Sequence, residues 1–538
     1  MYVLGIHGNL GRSERDPAAV LVRGGEIVAA AEEERFVRYK HAVGLMPDHA
    51  IGYCLREAGI SMRDVDHVAF PRATWADFDP RFAAYLWYTF GHAPPVTYVE
   101  HHLAHAASAY LASGFDSALV VTADQAGDGT SCAVFRGDGT TLTPVEAVPF
   151  PHSLGLFAAF MTQYLGFRSN HDEYKVMGLA PHGIPRPDLS HLLFSDATGL
   201  PRFEEALLHP EVLRRHPVFH TDQLPMFAAD TLPGLPPRRL PGAPLLEVHK
   251  DLAAATQHTI EQGLAALVDA HRRLDDVRLC LAGGVAENSV AIGKLAQVGG
   301  FDDIFVAPAC GDAGTALGAA LVVAAGHGHR FDRLTTTTLG PAWSEQQITQ
   351  TLREVGVRYT TTDDPAAVAA RLLAEEKIVA WFQGRMEFGP RALGARSLLA
   401  DPSRPATRTR VNRIKRREQF RPFGPSVLAE HMSALFGPAP AAPFMSFTLP
   451  TIDAAPIVAA THIDATSRPQ TVEEDGSAYR RLIEVFHDRT GVPGVLNTSL
   501  NSGWEPIVAT PEQALAFLYS SDADALVIGH HVVTKEGR

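Results

Sequence analysis

The feature that most constrains this chain is a repeated unit: an apolar strand-like run that ends in an acidic glycine turn. SALVV leads into TADQAGDGT around Asp124, and FDDIFVAP leads into CGDAGTALGAA around Asp312. The chain also opens on a strand, VLGI, followed by a hairpin-like pair, AAVLV and EIVAAAEEE, joined by a turn at Arg23-Gly24-Gly25. Further strand runs stand at VDHVAF, SCAVFRGD and VRLCLAGG, with helical patterns such as HAIGYCLREAG and DLAAATQHTIEQGLAALVDAHRRL between them. Strands that alternate with helices imply α/β layers. The recurrence of the strand–Asp–Gly turn implies that the layer is built twice.

The repeated turns acquire a chemical meaning from VEHHLAHAASAY. His101 and His105 are four residues apart, so on a helix they share one face and both imidazoles reach one ion. Asp124 and Asp312, at two strand ends, complete a mixed imidazole and carboxylate set suited to a divalent transition ion such as iron, manganese or zinc. Asp128 is the substitute if Asp124 does not take this place. His102 stands where a zincin's catalytic glutamate would be, which excludes that chemistry.

The second strong signal is charge. The chain of 538 residues carries a formal net charge of −13, yet residues 385–421 hold eleven Arg or Lys and three acids. A focused basic segment in an acidic protein points to a small anionic ligand, because guanidinium forks match phosphate geometry. Arg385, Arg391 and Arg396 alternate with Gly384, Gly389 and Gly394, a pattern of backbone turns presenting cations. The overall charge argues against nucleic acid or an anionic membrane as partner. No apolar run reaches the roughly 20 residues of a membrane helix. The N-terminus has no secretion-signal pattern, and the four cysteines are scattered without a CxxC, so a cytoplasmic location is expected.

Composition shifts near TTTTLGP place the main boundary between 1–336 and 337–538. Residues 201–245, rich in proline and histidine, read as a surface excursion or as a wall of an acceptor pocket. Gly283 and Gly284 follow an apolar strand, where backbone can approach a nucleotide. Asn288 lies just beyond them, and Lys175 stands beside a turn in EYKVMGLAPHG. In VLNTSLNSGWEPIV, Asn497, Thr498, Ser499, Asn501 and Ser502 offer small polar groups for a ligand.

Together AAAEEERF with KHA, VEHHLAHAASAY, EYKVMGLAPHG, LAGGVAEN, CGDAGTALGAA, WFQGRMEFGPRALGARSLLADP, FRPFGPSV and LNTSLN resemble the O-carbamoyltransferase family, which decorates antibiotics and nodulation factors. The resemblance implies a duplicated actin-like ATPase domain, like the threonylcarbamoyl-transferase fold, followed by a YrdC-like α/β domain. It implies that the second domain turns carbamoyl phosphate and ATP, taken with Mg2+, into carbamoyl adenylate. Lys415, Arg421, Arg391 and Ser499 match its phosphate and carbamoyl contacts; Arg385, Arg396, Asn497 and Asn501 are expected to assist. It places the metal ligands at His101, His105, Asp124 and Asp312, with iron(II) first among the candidate ions. It places Lys175, Gly283, Gly284 and Asn288 at a nucleotide site in the first domain. Transfer to a sugar hydroxyl of a small glycosylated natural product would occur there.

One departure bears on mechanism. The family's first loop commonly carries a His-Asp pair, and here the corresponding place reads Arg15-Asp16-Pro17. Asp16 is kept, the histidine is not, and His7 is the substitute. Asp16 and His7 are therefore the candidate transfer bases, alongside Lys415 and Arg421 as catalytic cations in the second domain. Alternative readings are carbamoylation of a tRNA base or of a metal-cofactor precursor, and an actin-like nucleotide-binding scaffold without turnover. A homodimer is compatible with all of them.

Overall fold

The computed structural model describes residues 1–9, 15–214, 226–298, 300–453 and 455–535. The chain divides into two compact units. The first comprises Met1–Glu33 and Ala42–Leu334, the second Glu34–His41 and Thr335–Arg538.

The first unit holds two five-stranded sheets of one topology. In the first sheet, β1 (Tyr2–His7), β2 (Ala18–Arg23) and β3 (Glu26–Glu32) form an antiparallel meander. Beyond β1 lie β4 (His67–Phe70) and β5 (Val96–Tyr98), both parallel to it, so the order is β3-β2-β1-β4-β5. In the second sheet the meander is β6 (Ser117–Gly127), β7 (Thr130–Asp138) and β8 (Thr141–Pro149). The parallel pair is β9 (Arg278–Ala282) and β10 (Asp303–Val306), in the order β8-β7-β6-β9-β10. Two sheets with the same order and the same strand directions make this the duplicated actin-like fold. The parallel strands are short and almost wholly apolar because helices cover them.

Two helices position the chemistry of this unit, α1 (His101–Tyr110) and the later α4 (Ala313–Gly326); between them in the chain lie α2 (Leu154–Tyr164) and α3 (Glu247–His271). The sequence AGTALGAALVVAAG of α4 is apolar all round, as a helix buried on every side must be. Its glycines set distances. A Cβ on Gly318 would stand 1.7 Å from the carbonyl oxygen of Ala104 in α1. A Cβ on Gly5 of β1 would stand 1.9 Å from the carbonyl oxygen of Ala316. Thus α4 lies against α1 on one side and β1 on the other at backbone-contact range, which only glycine permits.

The second unit is built on one eight-stranded mixed sheet. Its strands are β11 (Thr360–Thr361), β12 (Val379–Phe382), β13 (Arg396–Ala400), β14 (Gly424–Leu428), β15 (Gln470–Val472), β16 (Gly494–Ser499), β17 (Ala525–Ile528) and β18 (His531–Thr534). Their order is β11-β18-β17-β12-β13-β16-β14-β15. Helices α5 (Glu345–Val355), α7 (Pro405–Ile414) and α9 (Pro511–Ser520) feed one apolar core, and α6 (Pro365–Ala374) and α8 (Ala478–Thr490) feed another. The pleat divides each strand between them: Ala380 and Phe382 join the first core, Val379 and Trp381 the second. This is a mixed α/β layer with a core on each face of the sheet. The charged helix α7 ends at Ile414, and two residues on Arg416 adopts a left-handed φ of 50°.

The segment Glu34–His41 is a departure from the division at 336. It belongs to the second unit because its cations are tied there. Arg35 donates to the carbonyl of Gly389 at 2.8 Å, and Arg38 donates to those of Ile507 at 2.7 Å and Pro506 at 2.8 Å. No helix among the described residues is long and apolar enough to cross a membrane.

Candidate metal centre and candidate phosphate site

In the first unit the structure brings His101, His105, Asp124 and Asp312 together, with one ligand atom of each within 4.8 Å of all the others. His101 Nε2 stands 3.2 Å from Asp124 Oδ2 and 3.8 Å from Asp312 Oδ1. His105 Nε2 stands 3.5 Å and 3.6 Å from the same two oxygens. Each ligand has a local reason for its place. The helix α1 starts at His101, with Glu100 accepting from the Leu103 amide at 2.6 Å. Asp124 ends the straight part of β6, where its second oxygen accepts from the Gly284 amide at 3.2 Å. Asp312 stands at the N-terminus of α4, which favours a carboxylate.

The donor set suits a cation. Both ring nitrogens of His105, Nδ1 of His101 and Oδ1 of Asp312 are buried without a hydrogen-bond partner, a costly state that coordination relieves. Burial opposes the charged form of both imidazoles, with opposite net results. At His101 burial, together with Arg72 and His105, holds it at about 4. At His105 burial is outweighed by Asp124 and Asp312, which raise it to about 9. At Asp312 burial and Asp124 are outweighed by the neighbouring His105, His7 and His101, which hold its carboxyl down at about 2. A proton at His105 balances part of the charge of the two carboxylates, and a cation held there would take its place. Space around the set is kept by glycine. A Cβ on Gly127 would meet the His101 ring at 2.0 Å, and one on Gly155 would meet Asp124 backbone at 2.6 Å.

The neighbours sort by what they bond. His102 is a framing residue: Nδ1 lies 2.8 Å from Thr122 Oγ1 and Nε2 lies 3.0 Å from the Thr130 carbonyl. Asp128 is not a fifth ligand; it accepts from the amides of Ala73, Thr74 and His101 at 2.8 to 3.1 Å and so anchors the start of α1. His7 Nε2 donates to the Arg15 carbonyl at 2.9 Å and lies 4.0 Å from Asp312 Oδ2. That bond leaves Nδ1 of His7 buried and without a partner. Asp16 follows directly, in a left-handed conformation with φ of 56°.

The residues expected at a nucleotide divide. Gly283, with φ of 91°, and Gly284 lie at the metal cluster, where a Cβ would meet Ala123 O at 2.2 Å and Asp124 Oδ1 at 2.8 Å respectively. Asn288 is instead a structural residue. Its amide pairs with Gln257 of α3 at 2.9 and 3.1 Å, and its oxygen caps the following helix at the Ala291 amide. Lys175 pairs with Asp172 at 3.1 Å. Within 201–245, residues 215–225 lie outside the described residues. The remainder is tied to the end of α2, with Tyr164 donating to the Pro236 carbonyl at 2.7 Å and Arg239 to the Leu165 carbonyl at 2.9 Å.

In the second unit the structure gathers Lys415, Ser499 and Asn501. The buried Lys415 ammonium donates to the Ser499 carbonyl at 2.5 Å, and to the Asn501 carbonyl and Oδ1 at 2.9 Å each. Ser499 Oγ lies 3.3 Å from Nζ and donates to Asn501 Oδ1 at 2.6 Å. Burial, then Arg417, Arg421 and Lys40, push the pKa of Lys415 well down. Arg421 and Arg391 are half-buried, and Arg421 lies 3.9 Å from Glu418.

Two arginines expected at phosphate are committed elsewhere. Arg396 is fully buried and donates to the carbonyls of Gln383, Ala395, Gly384 and Pro341 at 2.8 to 3.3 Å, with its guanidinium 3.6 Å over the Phe382 ring. Arg385 donates to the Gly340 and Leu339 carbonyls at 3.2 and 2.7 Å. Both bond carbonyls of the unit's own loops. Asn497 is likewise buried, its amide nitrogen bonded on three sides. The sequence reading missed Lys40, which acts on Lys415 from the Glu34–His41 excursion. Its signal was the basic run RFVRYKH directly after three glutamates.

Two family models match the chain: carbamoyltransferase N-terminus over residues 8–82 and 83–321, and carbamoyltransferase C-terminus over residues 370–535. Nodulation protein NolNO of Sinorhizobium fredii is 38% identical over 565 residues, covering 97% of this chain and 79% of its own. The 3'-hydroxymethylcephem-O-carbamoyltransferase of Amycolatopsis lactamdurans is 34% identical over 265 residues, 47% of this chain and 48% of its own. Among solved structures, T. kodakarensis HypF aligns with 61% of this chain and 48% of its own at 14% identity, with a TM-score of 0.35, too low to carry an argument.

Proposed function

The chain belongs to the carbamoyltransferase family, and from that premise we propose that it is an ATP-dependent O-carbamoyltransferase acting on a hydroxyl, most simply a sugar hydroxyl, of a small natural product. In this reading the second unit makes carbamoyl adenylate. Carbamoyl phosphate, ATP and water give the adenylate, pyrophosphate and inorganic phosphate. The first unit transfers the carbamoyl group to the acceptor and releases AMP. A relative named as a cephem O-carbamoyltransferase supports the class of acceptor.

The observation that carries the reading is the set of two buried histidines and two half-buried aspartates with unmet ligand atoms in the first unit, in a chain whose second unit holds a separate lysine cradle. A divalent transition ion held by His101, His105, Asp124 and Asp312 would act as a Lewis acid toward the carbamoyl oxygen or the phosphate. The chain's own residues do the rest. His7 Nδ1, free because Nε2 is committed to Arg15, takes the acceptor proton, with Asp16 the other base beside it. In the second unit Lys415 holds the carbonyls and amide of the Ser499–Asn501 turn in one arrangement, while Arg421 and Arg391 supply fixed positive charge to the phosphates. Mg2+ accompanies ATP.

The test is direct. The protein is incubated with ATP, carbamoyl phosphate and a panel of glycosylated metabolites, and products are weighed by mass spectrometry. Gain of one carbamoyl group on an acceptor, dependent on both ATP and carbamoyl phosphate, is the expected result. Transfer without ATP would overturn the adenylate step.

A further inference from the structure

At the edge of the candidate metal centre lies a cation that is not one of its ligands, Arg72, only 5% exposed. Two residues past Phe70, the last of β4, it stands at the carboxyl end of a parallel strand, where such sheets bind ligands. A Cβ on Gly127 would meet Arg72 Nη1 at 2.6 Å and His101 Cδ2 at 2.0 Å, so the guanidinium nitrogen and that ring carbon are separated by no more than the two distances together. Cδ2 is bonded to Nε2, the nitrogen that faces Asp124 and Asp312. After burial, the Arg72 charge is what most lowers the pKa of His101.

The loop that carries Arg72 is fixed to the ligand helix. The Arg72 amide donates to the Phe70 carbonyl at 3.0 Å, and the amides of Ala73 and Thr74 donate to Asp128 at 2.8 and 3.1 Å. Thr74 Oγ1 donates to the same carboxylate at 2.6 Å, and the His101 amide at 3.0 Å. One carboxylate thus holds both the start of α1 and the loop after β4, so the guanidinium keeps its place beside the ligands. Burying a guanidinium is costly. Here it also stands beside a place built for a cation. Asp124 and Asp312 match the charge of a divalent ion, and two cations this close repel unless an anion lies between them. Asp128 offsets part of that charge, with its oxygens already accepting from three amides and a hydroxyl. A phosphate group suits the place, since a guanidinium fork matches its geometry.

We propose that the Arg72 guanidinium binds the phosphate of carbamoyl adenylate in the first unit and stabilises the charge that AMP gains on leaving. The proposal rests on the adenylate reading of the function. In the adenylate the phosphate carries a single negative charge. When the acceptor oxygen bonds to the carbamoyl carbon, the bond from that carbon to the phosphate oxygen breaks, and its electron pair stays on the phosphate. AMP departs as the dianion, and the hydroxyl proton goes to His7 Nδ1. A fixed cation beside that phosphate gains more in the transition state than in the ground state, because its partner's charge grows along the way.

The experiment titrates the full-length protein, loaded with Co2+, with AMP, and follows the visible absorption of the ion, which reports on the first unit. AMP is expected to change the absorption of wild type and to saturate. Arg72→Ala should bind Co2+ as wild type does and AMP about tenfold or more weakly. Arg72→Lys, which keeps the charge and loses the fork, should fall between them. In Arg72→Ala, pyrophosphate release from ATP with carbamoyl phosphate should be unchanged, while carbamoyl transfer slows roughly a hundredfold. AMP that leaves the wild-type absorption unchanged, or wild-type AMP affinity in both variants, overturns the proposal and leaves the adenylate reading standing. Loss of Co2+ binding in both variants makes Arg72 part of the framework of the metal centre and overturns the proposal as well. A wild type that releases no pyrophosphate with ATP and carbamoyl phosphate overturns the adenylate reading itself, and this proposal with it.

Discussion

At the scale of single residues, the candidate metal centre makes His105 the most consequential side chain in the first unit. It bridges both carboxylates yet makes no hydrogen bond through either ring nitrogen. His105→Ala is expected to lower bound transition metal to well under half occupancy, measured by plasma mass spectrometry of the purified protein, and to abolish carbamoyl transfer. Full occupancy in that variant would remove His105 from the ligand set. A second residue reports on pH. Burial raises the pKa of Glu173 to about 7, although the Asn170 amide bonds its carboxylate at 2.5 Å. The unfolded chain loses this proton near 4.5 and the folded chain near 7, so the native state loses stability as pH rises across that interval. Glu173→Gln should therefore melt higher than wild type at pH 8 and show no such advantage at pH 4, as followed by calorimetry. At this scale the meeting of His101, His105, Asp124 and Asp312 was legible because spacing and strand-end position carry ligand geometry. The hydrogen-bond partners of Asn288, Arg385 and Arg396 were not. A sequence gives their charge or polarity but not the carbonyls and amides that occupy them.

At the scale of elements, ligand separation is set by how closely α1, α4 and β1 approach. Gly318 has no room for a side chain against α1, and the obstacle is backbone that cannot swing aside. Gly318→Ala is expected to destabilise the first unit by about 1–3 kcal/mol. It should also weaken metal binding, although it touches no ligand, because α4 carries Asp312 and α1 carries both histidines. Titration with Co2+, followed by its visible absorption, checks this; wild-type affinity in a destabilised variant would separate packing from ligand geometry. The strands of both sheets were readable where apolar runs end in glycine turns. β5 and β8 were not, since Val96–Tyr98 is only three residues and β8 is largely exposed. Short or solvent-facing strands lack the buried alternation that marks the others.

At the scale of the whole molecule, the proposed function assigns two separable half-reactions to the two units. Lys415→Ala should stop pyrophosphate release that depends on carbamoyl phosphate, since it removes the cation that organises the Ser499–Asn501 turn. His105→Ala should retain that release and lose only transfer. Loss of the same half-reaction in both variants would refute the two-site scheme. The duplication of the first unit was foreseeable from the recurring strand–Asp–Gly turn, whereas the return of Glu34–His41 to the second unit was not. That assignment depends on contacts between residues more than 350 apart in the chain, such as Arg35 with Gly389, which no local pattern encodes.

The same excursion bears on how such a protein can be assembled in evolution. The second unit is discontinuous in the gene, with eight of its residues encoded some three hundred codons ahead of the rest. A single recombination after Leu334 would graft a foreign second half onto a parental Glu34–His41, and Arg35 and Arg38 would then meet carbonyls they were not selected to fit. Successful exchange of halves between relatives needs two crossovers or a matched pair of lineages, so the two units are expected to be inherited together.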